Sequence, residues 1–293
     1  MALIMSKKVL FDTDIGSDID DAVCLAYLLN NPECDLVGIT TVSGEARKRA
    51  MLCDALCKTA GKSVPIHPGA ENPLLIECKQ RRAQQTEKLN NHPHSSEFGV
   101  NTALEFMRDV IYDNPGEIEL LAVGPMTNVG LLFAAYPKTA ELLGGLTLMC
   151  GDFLRGGDAM EWNSICDPHA CNIVYNTKVK RHRSAGINVT TLVTMSSDEV
   201  RRRFTNPVLK VVADFAEVWF RERDILTFHD PLAAVSLFCD DVVKYERGAV
   251  DVDTFDKERL GRTVFIKDAA GPCEVASEVD PPRFFERYFS VFK

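Results

Sequence analysis

Five carboxylates crowd into ten residues near the start of the chain, in Asp12-Thr13-Asp14-Ile15-Gly16-Ser17-Asp18-Ile19-Asp20-Asp21, directly behind the apolar run Val9, Leu10 and Phe11. An acidic run is ordinarily a solvated face or a tail. This one stands between a strand-like segment and a helix-like one, Ala22 to Leu29, and in open α/β sheets the turn behind a strand is where ligands bind. Carboxylates held together there repel one another by on the order of several kcal/mol unless a cation neutralises them or some keep their protons. The chemistry implied is that of a hard-cation site. Asp14 lies just past the strand, Asp20 and Asp21 at the mouth of the helix, and Gly16 permits the turn between them. The calcium-loop spacing of an EF-hand fails, because Gly16 and Ser17 fall at its fifth and sixth places. The bland alternative is that Asp18 or Asp20 caps the helix and the rest are solvated.

Four later islands share this character of polar residues at the ends of apolar strands. They are Thr40-Thr41-Val42-Ser43-Gly44-Glu45, Gly124-Pro125-Met126-Thr127-Asn128, Met149-Cys150-Gly151 leading to Glu161-Trp162-Asn163, and His229-Asp230-Pro231. Each has a structural alternative. Asp230-Pro231 and Asp167-Pro168 read as an N-cap followed by an N1 proline, and Thr127-Asn128 reads as a cap too. His229 alone reads more readily as a core or capping histidine than as a catalytic one.

The elements that must position these residues alternate. Val9–Phe11, Asp35–Thr41, Val64–His67, Ile118–Val123 and Leu146–Met149 read as strands, and Asp21–Leu29, Glu45–Ala60, Thr102–Tyr112 and Thr127–Ala135 as helices. Residues 68–97 are polar and weakly periodic, and read as a long loop that could close over a site. Beyond them come a helix from Pro168, a mixed strand over Val179–Val189, and helices over Val208–Phe220 and Pro231–Phe238. Strands over Val242–Val252, Thr263–Lys267 and Cys273–Ser277 and a terminal helix over Pro281–Val291 follow. The alternation predicts βαβ units and an α/β fold: a single domain over residues 1–293 with a mostly parallel, Rossmann-like central sheet flanked by helices.

Composition narrows the classes. A net charge of −9 argues against a nucleic-acid partner, which wants a basic footprint. No apolar run reaches the roughly 20 residues of a membrane span, and Met1 to Ser6 is too short for a secretory signal, so a cytoplasmic location without membrane attachment is expected. The ten cysteines are scattered without a CxxC pair and read as reduced, mostly buried thiols.

Together and in this order the islands resemble the nucleoside hydrolase family. Asp12 to Ala22 looks like that family's N-terminal motif, in its longer form with two extra residues before the final Asp pair. Ala122-Val123-Gly124-Pro125-Met126-Thr127-Asn128, Glu161-Trp162-Asn163 and His229-Asp230 resemble its later blocks. The resemblance implies the family's fold and the cleavage of a ribonucleoside's N-glycosidic bond to give ribose and free base. It implies Ca²⁺ as cofactor, held by Asp14, Asp21, Asp230 and the backbone carbonyl of Thr127. Asp14 would be the general base toward a Ca²⁺-bound water, and Asp12 and Asn128 would support the site from behind. Asp20, Glu161 and Asn163 would hold the ribose hydroxyls, Met149 would pack on the sugar, and His229 would face the base and protonate its leaving nitrogen. A homodimer or homotetramer is implied as well.

Two places depart from the pattern. Many members carry Asn where Glu45 follows Gly44, and an ionised Glu accepts but cannot donate. Glu45 is kept as a substrate-binding candidate, toward a different substrate group. The aromatics expected ahead of the His-Asp pair are replaced by Phe215, Trp219, Arg221, Arg223 and Phe228, whose arginines read either as exposed helix residues or as signs of an altered leaving group. Two rival classes stand beside this reading. A haloacid-dehalogenase-type phosphatase also places DxD after its first strand, but with a Gly-Thr-like pair next rather than Ile15-Gly16-Ser17-Asp18. A non-catalytic Ca²⁺-dependent nucleoside or sugar binder would share the fold and lack turnover.

Overall fold

The computed structural model of the chain describes residues 6–153 and 160–292; Met1 to Met5, part of the stretch weighed as a leader, lie outside them. The first half runs β1 (Lys7–Thr13), α1 (Asp20–Asn30), β2 (Cys34–Thr41), α2 (Ala46–Thr59), β3 (Ile66–Pro68), α3 (Ala103–Asp113), β4 (Ile118–Ala122), α4 (Thr127–Ala135), α5 (Lys138–Leu142) and β5 (Gly145–Met149). The second half runs α6 (Trp162–Cys166), α7 (Pro168–Asn176), β6 (His182–Ala185), α8 (Ile187–Thr190), β7 (Thr194–Ser196), α9 (Ser197–Arg203), α10 (Pro207–Trp219), β8 (Ile225–Thr227), α11 (His229–Ser236), β9 (Val243–Val252), β10 (Thr263–Lys267), β11 (Cys273–Val279) and α12 (Pro281–Ser290).

Nine strands form one sheet in the order β10-β9-β11-β6-β5-β4-β1-β2-β3, and β7 pairs with β8 apart from it. All pairings from β11 through β3 are parallel; β9 is antiparallel to both its neighbours. Helices cover both faces, so the central strands read as continuous apolar runs. In β1, Val9 and Phe11 face a core shared with α1, α2, α10, α11 and α12, while Leu10 faces the core of α3, α4 and α7. The architecture is therefore the single, mostly parallel α/β sheet that the alternation predicts.

The chain leaves β1 first toward β2 and β3, and later toward β4, β5 and β6. Strand order thus reverses at β1. The connections on its two sides splay apart at the carboxyl ends of the strands and open a crevice there. The acidic run of residues 12–21 begins at this end of β1 and runs into α1.

The departures from the sequence reading are local. The mixed strand over Val179–Val189 is only β6; Gly186 ends it and α8 follows over the β-branched Ile187, Val189 and Thr190, with Asn188 Nδ2 donating to Ala276 O of β11 at 2.8 Å. Within 68–97, Gln84–Asn91 form a 3₁₀ helix packed against α2 and α10. All ten cysteines are free. Among the described residues no helix is long and apolar enough to cross a membrane.

One buried group makes stability depend on pH. His182 of β6 stacks on Tyr175 at 5.3 Å, neither ring nitrogen has a hydrogen-bond partner among the described residues, and burial pushes its pKa down from 6.5 to about 4. The unfolded chain takes up this proton below pH 6.5, whereas the folded one does so only near pH 4. The stability it contributes, at most roughly 3 kcal/mol, is thus present above pH 6.5 and lost as pH falls toward 4. His182→Phe should lose less Tm than the parent between pH 7 and pH 4.5; identical slopes would remove His182 from the acid response.

Candidate active site

One cavity of about 880 Å³ opens at the reversal point. Its walls carry Asp14 from behind β1, Asp20 and Asp21 from α1, Val123 from behind β4, Met149 from the end of β5, Glu161 and Asn163 at the start of α6, and His229 and Asp230 from α11. Ligand oxygens of Asp20, Asp21 and Asp230, all buried, lie within 4.8 Å of one another. Residues some 210 positions apart are joined directly, since the Asp230 amide donates to Asp20 Oδ2 at 3.1 Å.

None of the three carboxylates Asp20, Asp21 and Asp230 is a simple helix cap. Ile19 opens α1 without a side-chain cap, and Phe228 does the same for α11, so Asp230 sits inside its helix with its carboxylate uncommitted to capping. The cap reading does hold for Asp167, which accepts from the Ala170 amide at 3.0 Å. Thr127 and Asn128 do not cap either. Thr127 Oγ1 donates to Asp167 Oδ2 at 2.7 Å, and Asn128 Nδ2 donates to Asp12 Oδ1 at 2.7 Å.

Electrostatics set what this cluster can do. Burial pushes the carboxyls of Asp20, Asp21 and Asp230 well above the usual range, and repulsion from neighbouring carboxylates adds to it. Burial also raises Asp14, against the pull of the Arg49 guanidinium and a hydrogen bond from Gln80 Nε2. Burial lifts Asp12 to about 7 despite hydrogen bonds from Thr40 and Asn128, and its Oδ2 is buried without a partner among the described residues. A divalent cation removes this penalty. The donor set is all oxygen, which suits a hard ion. Asp20, Asp21 and Asp230 thus fit a metal by chemistry as well as by place, and Asp14 shares the cavity wall with them. Gly124 fits the same picture: a Cβ there would stand 2.8 Å from Asp14 Oδ1, so the turn behind β4 can press against Asp14 only as glycine.

The polar wall opposite is built around α6. Glu161 caps this helix, accepting from the amides of Asn163 at 2.7 Å, Ser164 at 2.9 Å and Gly151 at 3.1 Å. Asn163 Nδ2 donates to Val123 O at 2.6 Å and Met149 O at 3.1 Å, which leaves its Oδ1 as the acceptor. His229 Nδ1 lies 2.6 Å from Thr190 Oγ1, and burial lowers its pKa to about 4, so the ring is neutral at neutral pH.

Comparison with known proteins gives the same answer as the geometry. Residues 9–286 match the family model of the inosine-uridine preferring nucleoside hydrolases. The chain belongs to the nucleoside hydrolase family. It is 30% identical to uridine nucleosidase 1 of Arabidopsis thaliana over 274 residues, 85% of this chain and 79% of that one. It is 27% identical to the inosine-uridine preferring nucleoside hydrolase of Crithidia fasciculata over 98% of this chain and 96% of that one. A solved plant nucleoside hydrolase superposes with a TM-score of 0.86 at 26% identity, covering 98% of this chain and 99% of that one. The protein is accordingly an enzyme, a hydrolase with this family's fold.

In this nucleoside hydrolase the structure brings together Asp14, Asp20, Asp21, Met149, Glu161, Asn163, His229 and Asp230 on the cavity wall. Thr127 and Asn128 lie buried behind it, at the start of α4. Asp12 is buried within β1. Glu45 does not reach the wall. Its backbone is left-handed (φ 64°), which turns the side chain to Lys48 Nζ and to the Ala83 amide, 2.9 Å away. Burial raises its pKa, but those two partners more than offset the rise. Of the replaced aromatics, Phe215 and Phe228 are fully buried and only Trp219 lines the cavity; Arg221 and Arg223 line it beside Trp219.

The residue that sequence reading missed is Gln80, from the segment read as a loop. Its Nε2 donates to Asp14 Oδ2, and its Oε1 accepts from Trp162 Nε1. No local pattern marks a glutamine in a polar stretch. Gln80→Ala should raise KM and lower kcat together, by about tenfold in kcat/KM, by freeing one Asp14 oxygen and the Trp162 indole. Unchanged kinetics would make the bond incidental.

Proposed function

We propose that the enzyme hydrolyses the N-glycosidic bond of ribonucleosides to ribose and free base, with Asp14 as general base and Ca²⁺ as cofactor. The observation that carries this is the meeting of buried Asp20, Asp21 and Asp230 in one cavity with Asp14, Glu161, Asn163 and His229. The substrates in the names of its relatives, uridine and inosine, support a ribonucleoside. When bound, the cation supplies a more acidic water and an anchor for vicinal ribose hydroxyls.

The protein's own groups do the rest. Asp14 accepts the proton of the attacking water, worth roughly 10² to 10⁴ in rate. The acidic wall stabilises positive charge as the sugar becomes oxocarbenium-like. Asn163 Oδ1 and the remaining lone pairs of Glu161 accept from ribose hydroxyls and fix the anomeric carbon. With Thr190 Oγ1 donating to His229 Nδ1, the neutral ring presents Nε2–H as a hydrogen-bond donor to the leaving nitrogen.

Incubation with a panel of ribonucleosides in the presence of Ca²⁺, followed by assay of free ribose, tests the reading. Release of no ribose from any of them would end it. His229→Ala should slow inosine at least about tenfold more than p-nitrophenyl riboside, whose leaving group needs no proton. Equal losses on both would remove His229 from leaving-group chemistry. The family resemblance further supports a cytoplasmic homodimer or homotetramer, which sedimentation velocity would check.

A further inference from the structure

Basic side chains line the same cavity as the acidic floor, together with Asp18, Glu87 and Glu222. Among the described residues, Lys79, Arg81 and Arg82 come from one segment and Arg221 and Arg223 from another, on a chain of net charge −9. Part of this charge is spent. Arg221 is paired with Glu87, and Arg81 lies 3.4 Å from Glu77. Arg223 lies 3.6 Å from Glu222 and is also a counter-charge to Asp18 of the cavity wall, while Lys79 and Arg82 form no side-chain ion pair among the described residues.

The backbone that carries Arg82 is held in place. The Arg82 carbonyl accepts from Ser17 Oγ at 3.1 Å and from Arg49 Nη2 at 3.2 Å, while the Ala83 amide is fixed by Glu45. The buried Arg49 guanidinium also donates to the carbonyls of Asp14 and Ile15. One side chain therefore ties the acidic floor to the basic rim. From the other segment, the Arg223 guanidinium stands over the Trp219 ring, 4.1 Å from its centroid, and the indole is fixed by its bond to Ile225 O at 3.1 Å. Glu45 and the arginine-rich turn before the His-Asp pair are the two places where this chain leaves the family pattern, and both bear on this rim.

We propose that the substrate is an anionic riboside, whose carboxylate or phosphate, carried away from the glycosidic bond, is received by Arg82 and Arg223 with Lys79 beside them. This rests on the riboside-hydrolase reading above. A neutral ribose and base give these cations nothing to bind. An anion near the floor would be repelled by Asp14, Asp20, Asp21 and Asp230. At the rim it meets guanidinium groups, which favour planar oxyanions. The two sources of that anion, an acidic base or a phosphorylated ribose, present the same chemistry.

Matched pairs separate them: 5-carboxymethyluridine against uridine adds a carboxylate on the C5 side of the base, away from the glycosidic nitrogen, and uridine 5′-monophosphate against uridine adds a phosphate to the sugar. One anionic partner should exceed uridine in kcat/KM by about tenfold or more at low salt, and the ratio should fall as KCl rises. In the folded double variant Arg82→Gln/Arg223→Gln, checked by Tm, the ratio should fall by at least about tenfold. Preference for 5-carboxymethyluridine assigns the rim to the base, and preference for the monophosphate assigns it to the sugar. Anionic partners no better than uridine, or a ratio unmoved in the double variant, would overturn the proposal. If no riboside, p-nitrophenyl riboside included, is cleaved, the hydrolase reading falls instead. Dissociation constants then decide the rim through quenching of Trp162 and Trp219, the chain's two tryptophans, both of which line the cavity. The same order of preference is expected there, and equal affinities would sink it.

Discussion

Asp14→Asn is expected to lower kcat for uridine or inosine by roughly 10³-fold or more while leaving the metal-free fold at least as stable as the parent. The two halves of this expectation come from one observation. Asp14 is buried at the cavity wall, its carboxyl is pushed up by that burial, and Asp21 lies beside it, taking the Asp14 amide at 3.2 Å on Oδ1. An amide keeps the shape and can still accept from Gln80, but it cannot take a proton from water. It also removes one charge from a cluster that repels itself, which relieves the folded state when no cation is present. Initial rates and a melting curve in chelator measure both halves. A kcat within tenfold of the parent would take the base role from Asp14, and a large drop in metal-free Tm would show that the loss is structural.

Removal of the cation should have the second largest effect, and the effect should depend on pH. Chelation is expected to abolish turnover and added Ca²⁺ to restore it. Binding at about 1,000 times the dissociation constant stabilises the folded state by about 4 kcal/mol. At roughly 2–4 °C per kcal/mol in a chain approaching this size, that is on the order of 10 °C in Tm. The sign with pH follows from the carboxyls. Asp20, Asp21 and Asp230 have folded pKa values raised by burial and mutual repulsion, so without the ion the folded state holds protons that the unfolded state has lost. Metal-free stability therefore falls as pH rises from the ordinary carboxylate range through the raised values. The ion, which needs the carboxylates ionised, binds better over the same interval. The Tm gain from Ca²⁺ should grow between pH 5 and pH 8. A gain independent of pH would mean that these carboxyls are not its ligands. His182 and His229 act in the opposite direction on acidification, but they affect both forms and cancel in the difference.

Much of this was legible in residue order. Parallel strands announce themselves as apolar runs such as Val9–Phe11, and the polar islands at their ends are where a doubly covered sheet must place a site. The short elements were not legible. β7 and β8 have three residues each, and what fixes them is their mutual pairing, Met195 against Leu226, which no local signal encodes. The role of Asp230 was open as well. Asp-Pro is a capping signal, and only the start of α11 one residue earlier, at His229, takes the carboxylate out of that role. Glu45 was open for the same reason, since its left-handed backbone and its bond to Ala83 depend on a segment nearly forty residues away.

By itself the sequence determined the fold class, the family and the acidic floor, because strand periodicity and the spacing of Asp12 to Asp21 are local properties that survive without knowledge of contacts. Tertiary structure alone decided that Asp20, Asp21 and Asp230 share a few ångströms, that Gln80 reaches Asp14, and that Arg82 and Arg223 line the same cavity, with Arg49 tying the acidic floor to the Arg82 carbonyl. These depend on the reversal of strand order at β1 and on burial. Both are set by how distant segments pack, and so too are the charge states that packing imposes on the carboxyl groups.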